Sequence, residues 1–316
     1  MEFNLENKRH TRDAYGLALV ELGEKYPEMV VLDADLSCST KTYKFDEKYP
    51  DRFFNVGCQE QNLMGMAAGL ALEDRLVYAS CFAMFGAGRG WEQIRNSIAY
   101  DSLNVKIVLT HAGLTVGKDG SSHQIVEDLS LMRVIPNMQV MVPADYTETL
   151  AVIKHIAELD GPVYVRLSRE KSPDIYPDDF DFDFTSPNEL VEGDDVTILA
   201  NGYMTHMALQ AAQKLKSDGV SAQVVDVHTL KPLPEKEIAG YAEKTGCVVS
   251  VEEHSIYGGL SSAVAEALAK EYPAPMECVG VGDVFGVSGS ASELLEAYRL
   301  TPKDITEAAK KAVSRK

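Results

Sequence analysis

The chain has 316 residues, of which 48 are acidic and 30 are lysine or arginine, so its formal net charge is −18 at pH 7. This acidic balance argues against nucleic acid as a partner, because binding to a phosphate backbone requires a basic surface. A chain of this length can fold as two domains of ordinary size, each with its own core.

The cysteines and the amino terminus indicate a cellular compartment. The five cysteines are odd in number and contain no C-x-x-C pair, which favours free thiols in a reducing environment. The first segment, MEFNLENKRHTRD, is polar, and no stretch approaches the roughly eighteen uninterrupted apolar residues of a membrane span. We therefore expect a soluble cytoplasmic protein that does not associate with a membrane.

Apolar runs alternate with helical patterns through residues 1–172. The runs MVVLDAD, LVYASCF, VKIVLTH, MQVMVPAD and PVYVRLS are separated by stretches of 3.6-residue periodicity, which is typical of βαβ units. Residues 173–192 are rich in Pro, Asp and aromatic residues and are predicted to be a linker. The alternation resumes in residues 193–316 with VTILANG, SAQVVDVHTLKPL, CVVSVEE and MECVGVG. The sequence thus predicts an α/β protein of two domains, each a mostly parallel sheet flanked by helices.

Glu60 lies in the first turn of an otherwise apolar helix within FFNVGCQEQNLMGMAAGLAL. A buried carboxylate needs a hydrogen-bonding partner or stays protonated. Two interpretations have equal weight at this point. The acid is favoured by the helix dipole, or it has a catalytic role.

Polar residues follow several of the predicted strands, where ligands of doubly wound sheets bind. The loop HAGLTVGKDGSSHQ carries His111, Asp119 and His123, and it is too long to be a simple connector. Either histidine alone is best read as a surface or core residue, but the set favours a functional loop. Zinc is rejected because the histidines are widely spaced and no cysteine is near.

Phe82 and Phe85 end another strand, where an aromatic ring could stack on a planar ligand. Core filling is the preferred interpretation of either residue on its own.

Six segments, in order and with matching spacing, resemble the carboxy-terminal half of a transketolase. This half comprises the pyrimidine-binding and carboxy-terminal domains of thiamine diphosphate enzymes. The segments are DADLSCS, NVGCQEQNLMGMAAGLAL, CFAMFGAGRGWEQIRNSIAY, THAGLTVGKDGSSHQIVEDLSLMRVIPNMQVMVPAD, RLSR and VEEHSIYGGLSSAVAEAL. The resemblance spans nearly the whole chain.

The resemblance implies a cofactor role for four residues. Glu60 would hydrogen-bond the aminopyrimidine ring nitrogen of thiamine diphosphate and so assist loss of the thiazolium proton. Phe85 would stack on the pyrimidine ring, and Phe82 would line the same pocket. Asp35 would support the cofactor or a subunit contact.

The resemblance also implies substrate roles. Residues that would bind substrate hydroxyls and assist proton transfer are His111, Asp119 and His123. Residues that would bind the sugar phosphate are Arg12, Ser39 and Arg169, a task that suits the forked donors of arginine. His254 belongs to a family-like motif at a strand end, but a structural or interface role is favoured for it.

One expected feature of the family is missing from this sequence. The diphosphate and the metal, Mg²⁺ or Ca²⁺, are bound in the family by a GDG motif followed by asparagines, and the chain contains no GDG. A separate amino-terminal subunit would therefore supply the diphosphate and metal site. Two copies of each subunit would give an α2β2 heterotetramer with closed symmetry.

Four alternatives remain open. A 1-deoxy-xylulose 5-phosphate synthase would typically have arginine at the position of His111, and a 2-oxoacid dehydrogenase β subunit would not be expected to carry the full histidine and phosphate set. A non-catalytic assembly subunit is opposed by retention of the acid, aromatic and histidine positions. Within transketolases, the substrates are either pentose phosphates or an unusual branched or sulfonated ketose.

Overall fold

A computed structural model describes residues 3–316. The strands of its first half, in chain order, are β1 (Asn4–His10), β2 (Val30–Asp33), β3 (Phe53–Asn55), β4 (Val77–Phe82), β5 (Val105–Thr110), β6 (Gln139–Met141), β7 (Val163–Arg166) and β8 (Lys171–Asp174). The helices of this half are α1 (Thr11–Lys25), α2 (Ser37–Thr40), α3 (Tyr43–Lys48), α4 (Glu60–Ala71), α5 (Trp91–Gln93), α6 (Asp128–Arg133) and α7 (Tyr146–Ile156). Turns of 3₁₀ type span Pro50–Arg52 and Leu114–Asp119, and π-helical turns span Met84–Arg89 and Ile94–Ala99.

The second half continues the alternation of strands and helices. Its strands are β9 (Asn188–Val191), β10 (Val196–Ala200), β11 (Ala222–Asp226), β12 (Thr229–Lys231), β13 (Val248–Ser255) and β14 (Met276–Val281). Its helices are α8 (Met204–Ser217), α9 (Glu235–Thr245), α10 (Leu260–Glu271), α11 (Ala291–Ala297) and α12 (Pro302–Val313). None of the helices in residues 3–316 combines the length and the apolar character needed to cross a lipid bilayer.

Two large, mostly parallel sheets organise the molecule. Within residues 3–316 the first sheet has the order β12-β6-β7-β5-β4-β2-β3, and the second has the order β14-β13-β10-β11-β9. In the first sheet, all pairs among β2 to β7 are parallel. In the second sheet, the parallel pairs are β10 with β11, β10 with β13, and β13 with β14. The antiparallel edge strands are β9 and β12. The predicted fold class is confirmed, because both parallel sheets are flanked by helices.

Burial on both faces explains the apolar strands. Every residue of β4 and of β5 is buried, so the sequences of these central strands are mostly apolar. On one face of the first sheet, α1 and α7 contribute Leu19 and Ile153 to a core with Val108. On the other face, one continuous core extends from Leu63 of α4 to Leu260 of α10. The two halves of the chain therefore share buried apolar surface.

The halves are also joined through their backbones. Strand β12, from the second half, pairs with β6 of the first sheet, where Thr229 faces Met141. Strands β1 and β8 form a separate antiparallel pair. The predicted linker, residues 173–192, contains the end of β8 and all of β9, which pairs with β11 in the second sheet.

Candidate functional site

Parallel pairing brings the ends of three strands together at one edge of the first sheet. Asp33 of β2 lies beside Ser80 of β4, and Phe82 at the end of β4 lies beside Thr110 at the end of β5. The loops after these strands carry most of the residues predicted from the sequence. This edge is where ligands of such sheets bind.

Glu60 begins α4, and its side chain is only 4% exposed. Its Oε2 accepts a hydrogen bond of 3.2 Å from Nη1 of Arg89, whose side chain is 61% exposed. The guanidinium of Arg89 also lies 5.9 Å from the ring centroid of Phe85. The sequence prediction of a buried acid in the first helical turn agrees with this placement, whereas the partner Arg89 was not predicted.

Two phenylalanines and two histidines form an aromatic cluster next to this acid. The rings of Phe82 and His111 stack with centroids 3.8 Å apart and an interplanar angle of 23°. Phe85 lies 6.1 Å from Phe82 and meets the ring of His123 edge-on at 5.2 Å. The structure thus brings together four of the residues singled out from the sequence, which come from the end of β4, the turn after it and the loop after β5. Phe85 is only half-buried.

His111 is held in an unusual state. Its φ of +59° lies in the left-handed region that is uncommon for residues other than glycine. Burial, reinforced by the positive charges of Arg12 and Arg169, lowers the pKa of His111 to about 3. The imidazole is therefore neutral near pH 7, and its Nδ1 shares a hydrogen bond of 2.8 Å with Thr110 Oγ1. Backbone conformations of this kind concentrate at functional sites.

Two arginines lie near His111, and their charges act on its pKa. Arg12 donates from Nη1 to the carbonyl oxygen of Ser39 at 3.0 Å, and its buried Nε has no hydrogen-bond partner among residues 3–316. Burial, together with the charge of Arg169, lowers the pKa of Arg12. The carbonyl of Arg169 accepts a 3.1 Å hydrogen bond from Nδ1 of His10. Two guanidiniums with unused donors form a suitable environment for an anion.

The loop that carries Ser39 is organised by a residue that the sequence prediction missed. Asp33 is fully buried and accepts hydrogen bonds from the hydroxyls of Thr40 and Thr42 at 2.7 and 2.9 Å and from the amide of Leu36 at 2.6 Å. The sequence signal that could have identified Asp33 is its position at the end of a buried strand.

Three further predicted residues lie outside this cluster of rings and guanidiniums. Asp119 ends the turn Leu114–Asp119 and is exposed. Asp35 is exposed at a φ of +64° and accepts a hydrogen bond of 3.1 Å from Nδ2 of Asn55. His254 is fully buried, and its Nδ1 donates to the carbonyl of Ser255 at 2.7 Å. In the described part of the chain no three His, Cys, Asp or Glu side chains are grouped to hold a metal ion.

The chain matches two family models over most of its length. Residues 7–174 match the transketolase pyrimidine-binding domain, and residues 187–305 match the transketolase C-terminal domain. The chain therefore belongs to the transketolase family.

Two proteins of similar length are described as a transketolase subunit and as a split-gene transketolase. The 6-deoxy-6-sulfo-D-fructose transketolase subunit SqwH of Clostridium sp. (strain MSTE9) is 40% identical over 99% of this chain and 98% of its own length. A solved structure of a split-gene transketolase, described as an inactive β4 tetramer, has a TM-score of 0.90 and 53% identity, covering 96% of this chain and 98% of its own. The transketolase of Mus musculus is 34% identical over 99% of this chain, which spans only 50% of that enzyme.

Proposed function

We propose that this chain is the carboxy-terminal subunit of a two-subunit, thiamine diphosphate-dependent transketolase. The enzyme would transfer a two-carbon ketol unit from a ketose phosphate to an aldose phosphate. The proposal is supported by the family, by the subunit relative of similar length and, above all, by the buried Glu60, whose partner Arg89 lies over the half-buried ring of Phe85.

The side chains present fit the aminopyrimidine of this cofactor. A flat heteroaromatic ring requires an apolar surface to stack on, which Phe85 and Phe82 provide, and a carboxyl group at its edge, which Glu60 provides. When bound, thiamine diphosphate supplies the carbon nucleophile that cleaves the bond next to the ketose carbonyl. Glu60 would exchange a proton with the ring nitrogen of the cofactor.

The remaining residues of the site would act on the sugar. Neutral His111 can accept a hydrogen bond from a substrate hydroxyl at pH 7, because its pKa is lowered to about 3. We assign the same kind of contact to His123 and Asp119. Arg12, whose pKa is lowered by burial and by the charge of Arg169, and Arg169, whose Nη1 lies 3.5 Å from Glu170 Oε1, would bind the phosphate together with Ser39. Asp35 would support the cofactor or the subunit contact.

A separate amino-terminal subunit would complete the site. It would carry the diphosphate and the Mg²⁺ or Ca²⁺ ligands, and two copies of each subunit would form an α2β2 heterotetramer. The proposal is supported by the description of the structural neighbour, a tetramer of β subunits alone, as inactive.

The substrates are proposed only by class. The relatives named above are transketolases, which favours ketol transfer over a synthase or a dehydrogenase subunit. The name of one relative, a 6-deoxy-6-sulfo-D-fructose transketolase subunit, includes a sulfonated sugar. The assays should therefore include a sulfonated ketose as well as pentose phosphates and a branched ketose.

The test is Glu60→Gln in the complex purified with its native partner. We expect ketol transfer to fall by about 100-fold or more, because a neutral amide cannot exchange a proton with the ring nitrogen. Thiamine diphosphate binding, measured by calorimetry, should weaken much less. Glu73→Gln, an exposed carboxylate after the other end of α4, is the control.

Two results would contradict the proposal. Turnover of the Glu60→Gln complex equal to that of the wild type would remove this residue from the mechanism. A wild-type complex that neither binds thiamine diphosphate nor transfers a ketol unit would indicate a non-catalytic assembly role.

A further inference from the structure

Glu253 lies on β13 in the second half of the chain, yet both of its carboxylate oxygens contact the loop of the first half that carries the candidate histidines. Its Oε1 accepts a hydrogen bond of 2.6 Å from the amide of Thr115, and its Oε2 accepts one of 3.2 Å from Thr115 Oγ1. The side chain is 2% exposed. A carboxylate this deeply buried is costly unless its hydrogen bonds are satisfied, so these contacts hold the loop strongly.

The backbone of the loop is shaped to admit this carboxylate. Gly113 has a φ of +84°, and a Cβ atom at this position would lie 2.3 Å from Oε1 of Glu253. Only glycine satisfies both the backbone conformation and the close approach.

A buried ion pair fixes the strand on which Glu253 lies. Arg166 donates from Nη2 to the carbonyl oxygen of Glu253 at 3.0 Å and from Nε to Asp128 at 2.8 Å. Asp128 begins α6, the helix that follows the loop. The guanidinium therefore ties β7, β13 and α6 together around the carboxylate.

The other end of the loop is also held from the second half of the chain. Gln124 donates from Nε2 to the carbonyl oxygens of Leu114 and Gly117, both at 3.3 Å, and to that of Val287 at 3.0 Å. His111 lies four residues before the anchor at Thr115, and His123 immediately precedes the anchor at Gln124. Their separation and ring orientation thus depend on contacts that the first half of the chain does not make alone.

We propose that Glu253 is a positioning residue that fixes the loop between His111 and His123 for ketol transfer. This inference rests on the function proposed above. Burial raises the pKa of Glu253 to about 7, as expected for a carboxyl group in an apolar environment. A displacement of about 1 Å in a catalytic group reduces turnover by about 100-fold.

The experiment compares Glu253 with its neighbour Glu252. Glu252 is also fully buried, but it accepts hydrogen bonds from the amides of Leu260 and Ser261 within its own half of the chain. Glu253→Ala and Glu252→Ala thus remove equally buried carboxylates from adjacent positions. Amide hydrogen exchange is measured on the chain, and steady-state kinetics are measured on the complex with its native partner.

For Glu253→Ala we expect exchange within residues 111–124 to rise by about tenfold or more over Glu252→Ala. The value of kcat should fall by about 100-fold, while the Kd for thiamine diphosphate changes by less than about threefold. Glu253→Gln should retain most of the exchange protection of residues 111–124 and most of kcat. The glutamine amide can accept a hydrogen bond from the Thr115 N–H and donate one to the Thr115 hydroxyl.

Equal exchange in the two alanine variants, or a loosened loop with unchanged kcat, would overturn the inference. If the alanine variants do not fold, amide exchange is compared between Thr115→Ala and Thr115→Ser instead. Only the serine variant retains the hydroxyl donor. Identical exchange in this pair would refute the role of the contact between the Thr115 hydroxyl and Glu253 Oε2. The exchange result stands even if the wild-type complex transfers no ketol unit, so the two proposals fail separately.

Discussion

A buried carboxyl pair at the seam between the two halves should make stability depend on pH. Asp226, at the end of β11, accepts hydrogen bonds from the Tyr176 hydroxyl at 2.8 Å and from Thr205 Oγ1 at 3.2 Å. Burial and the neighbouring charge of Asp226 raise the pKa of Glu148 of α7 well above its usual range. Asp226 and Glu148 are both completely buried. We predict that the Asp226→Asn variant loses much less stability than the wild type as the pH rises.

The magnitude follows from the proton that the folded chain retains. Burial raises the pKa of Asp226 from 3.8 to about 7, so between these values the folded state holds a proton that the unfolded state has lost. Stability from this group is complete below pH 3.8 and falls as pH rises to 7, by about 4 kcal/mol in total. Between pH 5.5 and 7, which avoids the pI of about 4.8, the wild type should lose about 2 kcal/mol more than Asp226→Asn.

Urea unfolding followed by circular dichroism at a series of pH values measures this difference. Asp101→Asn, at an exposed position, is the control and should follow the wild type. Parallel pH profiles for Asp226→Asn and the wild type would refute the reasoning, because the titration of this carboxyl would then not be coupled to folding.

Three further predictions follow from buried charges. Asp128→Ala should destabilise the chain by about 3–5 kcal/mol in urea unfolding, because it leaves the buried charge of Arg166 without its carboxylate; a loss below about 1 kcal/mol would contradict this. The His111 ring should titrate near pH 3 in NMR spectra of histidine-labelled protein, because burial and nearby cations oppose its charged form, and a midpoint above 6 would be incompatible with that environment. Asp33→Ala should cost about 3 kcal/mol and increase amide exchange around Ser39, because it removes three hydrogen bonds, whereas unchanged exchange there would count against its proposed part in holding the loop.

Much of the fold could be predicted from local pattern. The apolar runs that become β2, β4, β5 and β7 are buried on both faces, so their composition alone is diagnostic. Strand β12 could not be predicted in its place, because three residues carry no periodic signal and its partner β6 lies in the other half of the chain. The π-helical turns at Met84–Arg89 and Ile94–Ala99 depend on packing rather than on local preference.

The candidate site was predictable to the extent that strand ends locate it. Phe82, Phe85, His111 and His123 were predicted from their positions after strands and from the resemblance, and the structure brings their rings together. Arg89 was missed because an isolated arginine in a glycine-rich turn has the pattern of a surface residue. The contact of Glu253 with Thr115 was missed because the two lie 138 positions apart, and no local signal reports such a pairing.

The shared edge between β6 and β12 has a practical consequence for engineering. A fragment that stopped after β8 would present the bare edge of β6 to solvent, and an unpaired edge is a template for aggregation. The complementary fragment would leave apolar surface of α9 and α10 uncovered, since both helices belong to the core that is continuous with the first sheet. Anyone expressing either half alone should therefore expect insoluble material, and fusion tags or crosslinks are better attached to the intact chain.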